Sequence, residues 1–240
     1  PESAVTFLQP FNLRAYEPKS SAFPLSRRAF IGAMAGGAAL AGLESSSILK
    51  AAEADGDFMV PVRPPGSIPE EEFLRRCLRC AECLQACPSN ALALVDISGG
   101  LARIFTPRLF PTRGPCEPDC NRCTKVCPTL AIRPLSLDEK MWAKIGTAKV
   151  LQGNCLAWAE DRRCVVCQEV CPFGSLDLRQ NSGLSVPVPV VEANRCFGCG
   201  YCEHHCPVSP PAIVVESHGA LRLNGNDYHA EAVKLGLDLD

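Results

Sequence analysis

Apolar positions in this chain come in short bursts, with only one long run. Residues 1 to 23 mix apolar and polar side chains with Pro10 and Pro18 and show no sustained period. Ala29 to Leu43 is an uncharged run of 15 residues rich in Ala and Gly, short of the roughly 20 apolar residues needed to span a bilayer. Residues 55 to 69, DGDFMVPVRPPGSIP, have little helix or strand potential and predict a linker that tethers rather than packs. Glu70, Glu71 and Glu72 ahead of Phe73 and Leu74 predict a helix start. Beyond it the bursts ALALVD from Ala91, AIRPL from Ala131, SLDLR from Ser175 and AIVVES from Ala212 read as strands. Ile104 and Phe105, Val150 and Leu151, and Val188 to Val191 read as further strands. The expected class is α+β.

Between the bursts lie all 16 cysteines of the chain, in four sets. Cys77, Cys80, Cys83 and Cys87 form the first, Cys116, Cys120, Cys123 and Cys127 the second. Cys155, Cys164, Cys167 and Cys171 form the third, Cys196, Cys199, Cys202 and Cys206 the fourth. In each set the last cysteine follows the third after three residues and precedes a proline: Pro88, Pro128, Pro172 or Pro207. CxxCxxCxxxCP is the bacterial signature for 4Fe-4S clusters. Two-residue gaps let one loop offer three thiolates to one cluster. By the fourth cysteine the chain has turned away, so that thiolate serves the partner cluster. Proline fixes φ and lacks an N–H, which separates the ligand loop from the next strand.

Other uses of cysteine fit less well. A disulfide framework does not demand this spacing, and zinc sites usually pair two CxxC units across a gap. Cys116, Cys120 and Cys123 alone spell the CxxxCxxC of radical S-adenosylmethionine enzymes, but Cys127 and Pro128 complete a ferredoxin set. The chain between the sets is also far shorter than the about 250 residues of a barrel. All 16 cysteines are therefore expected ligands of four 4Fe-4S clusters, both as metal and as cofactor-binding residues.

The expected organisation is an N-terminal extension (1–25), a signal-like or anchor-like segment (26–54), the linker (55–69), a four-cluster domain (70–223) and a tail (224–240). The domain reads as two ferredoxin-like modules made of four half-modules. Sets one and four are regular, while sets two and three carry a stretched gap each, which favours nesting. In that arrangement an inner module (about 100–182) sits inside an outer one (70–99 with 183–223). Cys206 then completes the first set, Cys87 the fourth, Cys171 the second and Cys127 the third. Sequential pairing, one with two and three with four, is the rival. Small modules of this kind bury little apolar surface, so ligation must supply much of their stability.

A net charge of −2 gives no reason to expect nucleic acid or an anionic membrane surface as a partner. Ser26-Arg27-Arg28-Ala29-Phe30-Ile31, the apolar run after it and Ala52-Glu53-Ala54 read as a twin-arginine export signal with a candidate cleavage site. Folded, cluster-loaded cargo needs such a route. No catalytic triad, phosphate-binding glycine loop, flavin motif or nicotinamide motif is legible, so no small-molecule substrate and no catalytic residue are expected. His204 and His205 lie inside the fourth set, where cysteines already fill the site. They are read as hydrogen-bonded or exposed side chains. Tyr201, Phe197 and Phe173 are read as shields of clusters from water, and Trp142 and Trp158 as packing residues.

From Ser26 to Val215 the chain resembles the NapG/MauM ferredoxin-type proteins of periplasmic nitrate reductase and methylamine dehydrogenase operons. The likeness rests on the twin-arginine segment, the order of the four sets, TPRLFPTRGPC before set two, KVCPTLAI after it and LQGNCLAWAEDRRCVVCQEVCP at set three. It implies four 4Fe-4S clusters and electron transfer on the periplasmic side of the cytoplasmic membrane. The donor would be a quinol-oxidising membrane partner or NapH-like ferredoxin, and the acceptor a periplasmic reductase or dehydrogenase. A maturation ferredoxin for a periplasmic redox enzyme is the second function it implies. Pro1 in place of methionine and the long region before Arg27 are expected of a processed chain or a fusion to a NapH-like membrane ferredoxin.

Overall fold

The computed structural model describes residues 60–225 and 227–238. The expected N-terminal extension, the twin-arginine segment and residues 55–59 of the linker lie outside the described residues.

The first helix, α1 (Glu70–Arg76), forms where the acids predicted it, with Glu70, Glu71 and Glu72 at its positive end and Arg75 and Arg76 at its negative end. It buries Phe73 completely. The segment before it does not behave as a tether. Residues 62–68 are buried, Leu109 donates its N–H to the Val62 carbonyl at 2.7 Å, and Ser67 bridges Ile132 in antiparallel fashion. Arg63 is held in the interior by Glu70 at 2.6 Å, by the Pro107 carbonyl at 2.7 Å and by the face of Phe73. Prolines at 61, 64 and 65 lack N–H groups, which suits an edge segment that pairs through other residues. The linker expectation is corrected accordingly.

The rest of the first module is a short hairpin and two ligand loops. Strand β1 (Leu92–Leu94) pairs antiparallel with β2 (Pro107–Leu109). One-turn helices α2 (Glu82–Gln85) and α3 (Arg122–Lys125) carry Cys83 and Cys123. Ile104 and Phe105, expected in a strand, instead form the turn before β2. Helix α4 (Leu137–Trp142) follows, opened by Ser136, whose hydroxyl accepts the Glu139 N–H at 3.0 Å.

The second module repeats the plan. Strand β3 (Thr147–Val150) pairs antiparallel with β6 (Ile213–Glu216), and β4 (Leu176–Arg179) with β5 (Val188–Val191). Between them lie α5 (Leu156–Ala159), α6 (Val166–Glu169) with Cys167, and α7 (Tyr201–His204) with Cys202. Because β3 precedes set three and β6 follows set four, those two sets close one module. The Ser67–Ile132 bridge closes the other around sets one and two. The modules are therefore consecutive, and the nested arrangement is corrected. Beyond them α8 (Tyr228–Lys234) packs on α4, burying Tyr228 and Ala232 with Leu135 and Ala143. The residues expected as a tail thus include a packed helix.

Candidate metal centres

Strand pairing brings the 16 thiols into four groups. Cys77, Cys80, Cys83 and Cys127 line one small cavity, here called site 1. Cys87, Cys116, Cys120 and Cys123 line a second, site 2. Cys155, Cys164, Cys167 and Cys206 line a third, site 3. Cys196, Cys199 and Cys202 gather with Cys171 as site 4, each of these thiolates raising the pKa of Cys202. The fourth cysteine of each set lies with the thiols of the other set in a consecutive pair. Cys127 joins set one, Cys87 set two, Cys206 set three and Cys171 set four.

Local geometry explains how one loop presents three thiols. In set one Arg79 and Ala81 adopt left-handed φ values of 57° and 63°, and in set four Gly198 and Gly200 do so at the matching positions with 87° and 85°. The left-handed residues turn the loop between successive ligands. Glycine is required at 198, where a Cβ would lie 2.6 Å from the Gly146 backbone. The third cysteine of every set then falls on a one-turn helix. After the fourth, proline offers no N–H, and the sulfur accepts one from further along. Ser175 donates to Cys171 at 3.4 Å, Ile132 to Cys127 at 3.5 Å and Ala212 to Cys206 at 3.3 Å. Hydroxyls of Ser89, Thr129 and Ser175 approach Cys87, Cys127 and Cys171 at 3.6, 3.8 and 3.2 Å. Such contacts tune a bound cluster.

The electrostatics fit thiolates assembled for a cationic core. Burial first, and neighbouring thiolates second, push Cys83, Cys167 and Cys199 up to about 12. Burial likewise drives Cys123 and Cys202 upward. Cys116 is pushed up to about 11, with Lys140 opposing the rise. Packed thiolates of this kind become stable only against positive charge, and loading a metal releases their protons. Among the described residues no three His, Cys, Asp or Glu groups converge on a single ion. A tetrahedral zinc with Zn–S of about 2.3 Å would draw its sulfurs to about 4 Å from one another. Here the sulfurs ring cavities instead, a donor set suited to polynuclear iron–sulfur groups.

Neighbouring sites are joined by packing: α2 with Cys83 of site 1 lies against α3 with Cys123 of site 2, the backbone at Cys116 of site 2 meets that at Cys199 of site 4, and α6 with Cys167 of site 3 lies against α7 with Cys202 of site 4. Contact therefore runs in the order 1, 2, 4, 3. At the centre the Cys116 N–H donates to the Cys199 carbonyl at 2.8 Å. Tyr201 donates its hydroxyl to Glu117 across the same junction. Phe197 stacks on Phe173 with ring centroids 5.1 Å apart, both buried. His204 contacts the Pro111 carbonyl through Nδ1 at 3.1 Å and His205 that of Tyr201 at 3.0 Å. Trp158 donates to Pro189 at 3.2 Å and Trp142 meets His229 edge to face. Sequence reasoning missed Lys140 and Lys144, two fully buried lysines on the segment joining the modules.

Paired ferredoxin-like modules carrying four groups of four thiols define a ferredoxin-type iron–sulfur protein, with a role in electron transfer. No family model matches the chain. It is 37% identical over 193 residues to the ferredoxin-type protein NapG of Escherichia coli K12, covering 75% of this chain and 80% of that protein. It is 39% identical over 160 residues to the methylamine utilization ferredoxin-type protein MauM of Methylophilus methylotrophus, covering 63% and 69%. To NapF of Escherichia coli K12 it is 31% identical over 158 residues, covering 65% and 84%. The chain belongs to the NapG/MauM ferredoxin-type proteins.

Proposed function

We propose that this protein is a four-cluster electron wire. Each of the four cavities holds one 4Fe-4S cluster, ligated by the four cysteines that line it. When bound, each cluster takes up or releases one electron at a time. The chain's own part is to hold the sites in a row, donate N–H and hydroxyl groups to the sulfurs and keep water from the two central sites. The observation that carries the reading is the continuous order 1, 2, 4, 3, joined at its middle by the Cys116–Cys199 hydrogen bond. Electrons enter at one end of the row and leave at the other. Site 1 carries the one exposed thiol of the sixteen, Cys80, and is the more open end.

In this reading the donor is a quinol-oxidising membrane protein or NapH-like ferredoxin and the acceptor a reductase or dehydrogenase on the periplasmic side; the ferredoxin-type names of the relatives support the electron-transfer role itself. Among the described residues no helix is long and apolar enough to cross a membrane. No substrate chemistry is assigned. An open cleft near β3 and β5 holds Lys149 and Glu216, which pair with each other at 3.2 Å. The test is stopped-flow mixing of the reduced, cluster-loaded protein with purified periplasmic reductases and dehydrogenases. Rapid reoxidation by a protein acceptor is expected. Reoxidation no faster than by buffer, with every acceptor tried, overturns the reading.

A further inference from the structure

Two cations are buried in the middle of the row, and neither has a carboxylate partner among the described residues. Lys140 is 0% exposed and Lys144 is 2% exposed. The Lys140 ammonium donates to the Glu117 carbonyl and, at 3.0 Å, to that of Pro118. These carbonyls belong to the stretched CxxxC gap of set two, between Cys116 and Cys120. The Lys144 ammonium donates to the Ala193 carbonyl at 2.7 Å and to that of Cys196, which opens set four. Glu139, beside Lys140 in sequence, is turned away to Arg133.

A buried charge without a counter-ion is costly, and it persists where opposite charge lies close by. For Lys140 that charge is offered by the site 2 thiolates, and Cys116 and Cys123 both feel its field. For Lys144 it is Cys196 of site 4. A 4Fe-4S cluster with four thiolates is anionic in both oxidation states and gains one more negative charge on reduction. A fixed cation close by therefore favours the reduced form.

We propose that Lys140 and Lys144 are potential-setting residues, each raising the midpoint potential of one inner cluster, Lys140 that of site 2 and Lys144 that of site 4. Each inner cluster, one in each module, is then easier to reduce than it would be without its lysine. This positioning role rests on the electron-wire reading above.

The experiment is a potentiometric titration, followed by EPR, of the cluster-loaded full chain and its Lys140→Gln and Lys144→Gln variants, with iron counted in each. Iron in the wild type is measured first; its absence would sink the wire reading itself, apart from any lysine. With four clusters retained, Lys140→Gln is expected to lower one of the four midpoints and Lys144→Gln a different one, the two outer midpoints staying at wild-type values. Four clusters with every midpoint unchanged overturn the proposal. If a glutamine variant loads fewer clusters, the charge-keeping Lys→Arg variant decides. Full loading with wild-type midpoints supports the proposal, whereas cluster loss or a lowered midpoint in the arginine variant too makes the lysine a packing requirement and overturns it.

Discussion

The amide of Cys116 donates to the carbonyl of Cys199 at 2.8 Å, so a ligand of one module is hydrogen-bonded to a ligand of the other. That bond joins two ferredoxin-like modules into one row of sites. It also places set four, last in the chain, next to set two. A path running 1, 2, 4, 3 follows from it, and the consequences below can be measured.

The junction is intolerant of volume at Gly200. Its φ is +85°, and a Cβ there would lie 2.5 Å from the Pro111 side chain of the other module. Gly200→Ala is expected to cost about 1–3 kcal/mol for the left-handed backbone alone, with the contact adding to it. It should also weaken magnetic coupling between the central clusters in EPR of the reduced protein. Gly153→Ala, with open space around its Cβ, should leave both measurements unchanged.

Cysteine pairing is tested by double substitution and iron analysis. Cys80→Ser and Cys127→Ser act on the same site, so together they should remove one cluster and leave three. Cys164→Ser with Cys127→Ser act on two sites and should leave two. Nested modules would reverse these results, because Cys127 would then belong with Cys155, Cys164 and Cys167.

The polar cluster under α1 makes stability depend on acid. Burial alone would raise the pKa of Glu70, but the hydrogen bond from Arg63 and the charges of Arg63, Arg222 and Arg103 outweigh it and lower it below its usual 4.5. A depressed carboxylate adds stability that is full above pH 4.5 and lost as pH falls through the lower folded value. Glu70→Gln should cost about 3 kcal/mol at pH 7, since it leaves Arg63 buried and unpaired. Guanidinium denaturation at pH 7 and pH 4, followed by visible absorption, should show the gap between wild type and variant narrowing in acid.

The C-terminal helix is part of the fold. Tyr228 is fully buried beneath the Arg133 guanidinium, 5.1 Å from its ring centroid. Tyr228→Ala should cost about 3–5 kcal/mol, read as a lower midpoint of thermal unfolding. An unchanged midpoint would mean that α8 does not pack on α4 in solution.

Much of this was legible in the residues, and what was not has physical reasons. The four cysteine sets, α1, and the strands at 92–94, 176–179, 188–191 and 213–216 were all marked by local pattern. Pairing was not. Sets one and four do share a loop conformation, at Arg79 and Ala81 and at Gly198 and Gly200, but likeness of loops does not decide which strands close a module. Ser136 and Glu139 were an overlooked signal, because S-x-x-E between sets two and three marks the start of a helix there, and the Ser136 hydroxyl does accept the Glu139 N–H. Residues 62–68 read as a tether because their prolines hide an edge segment held through Val62, Arg63 and Ser67. Lys140 and Lys144 did not stand out, since nothing local tells that their ammonium groups find backbone carbonyls inside the molecule.

The most direct test is an iron and acid-labile sulfide analysis of anaerobically prepared protein, combined with spin quantitation after full reduction. Four cubanes on sixteen thiolates predict about sixteen of each per chain. Material that is colourless and iron-free yet unfolds cooperatively would contradict the account.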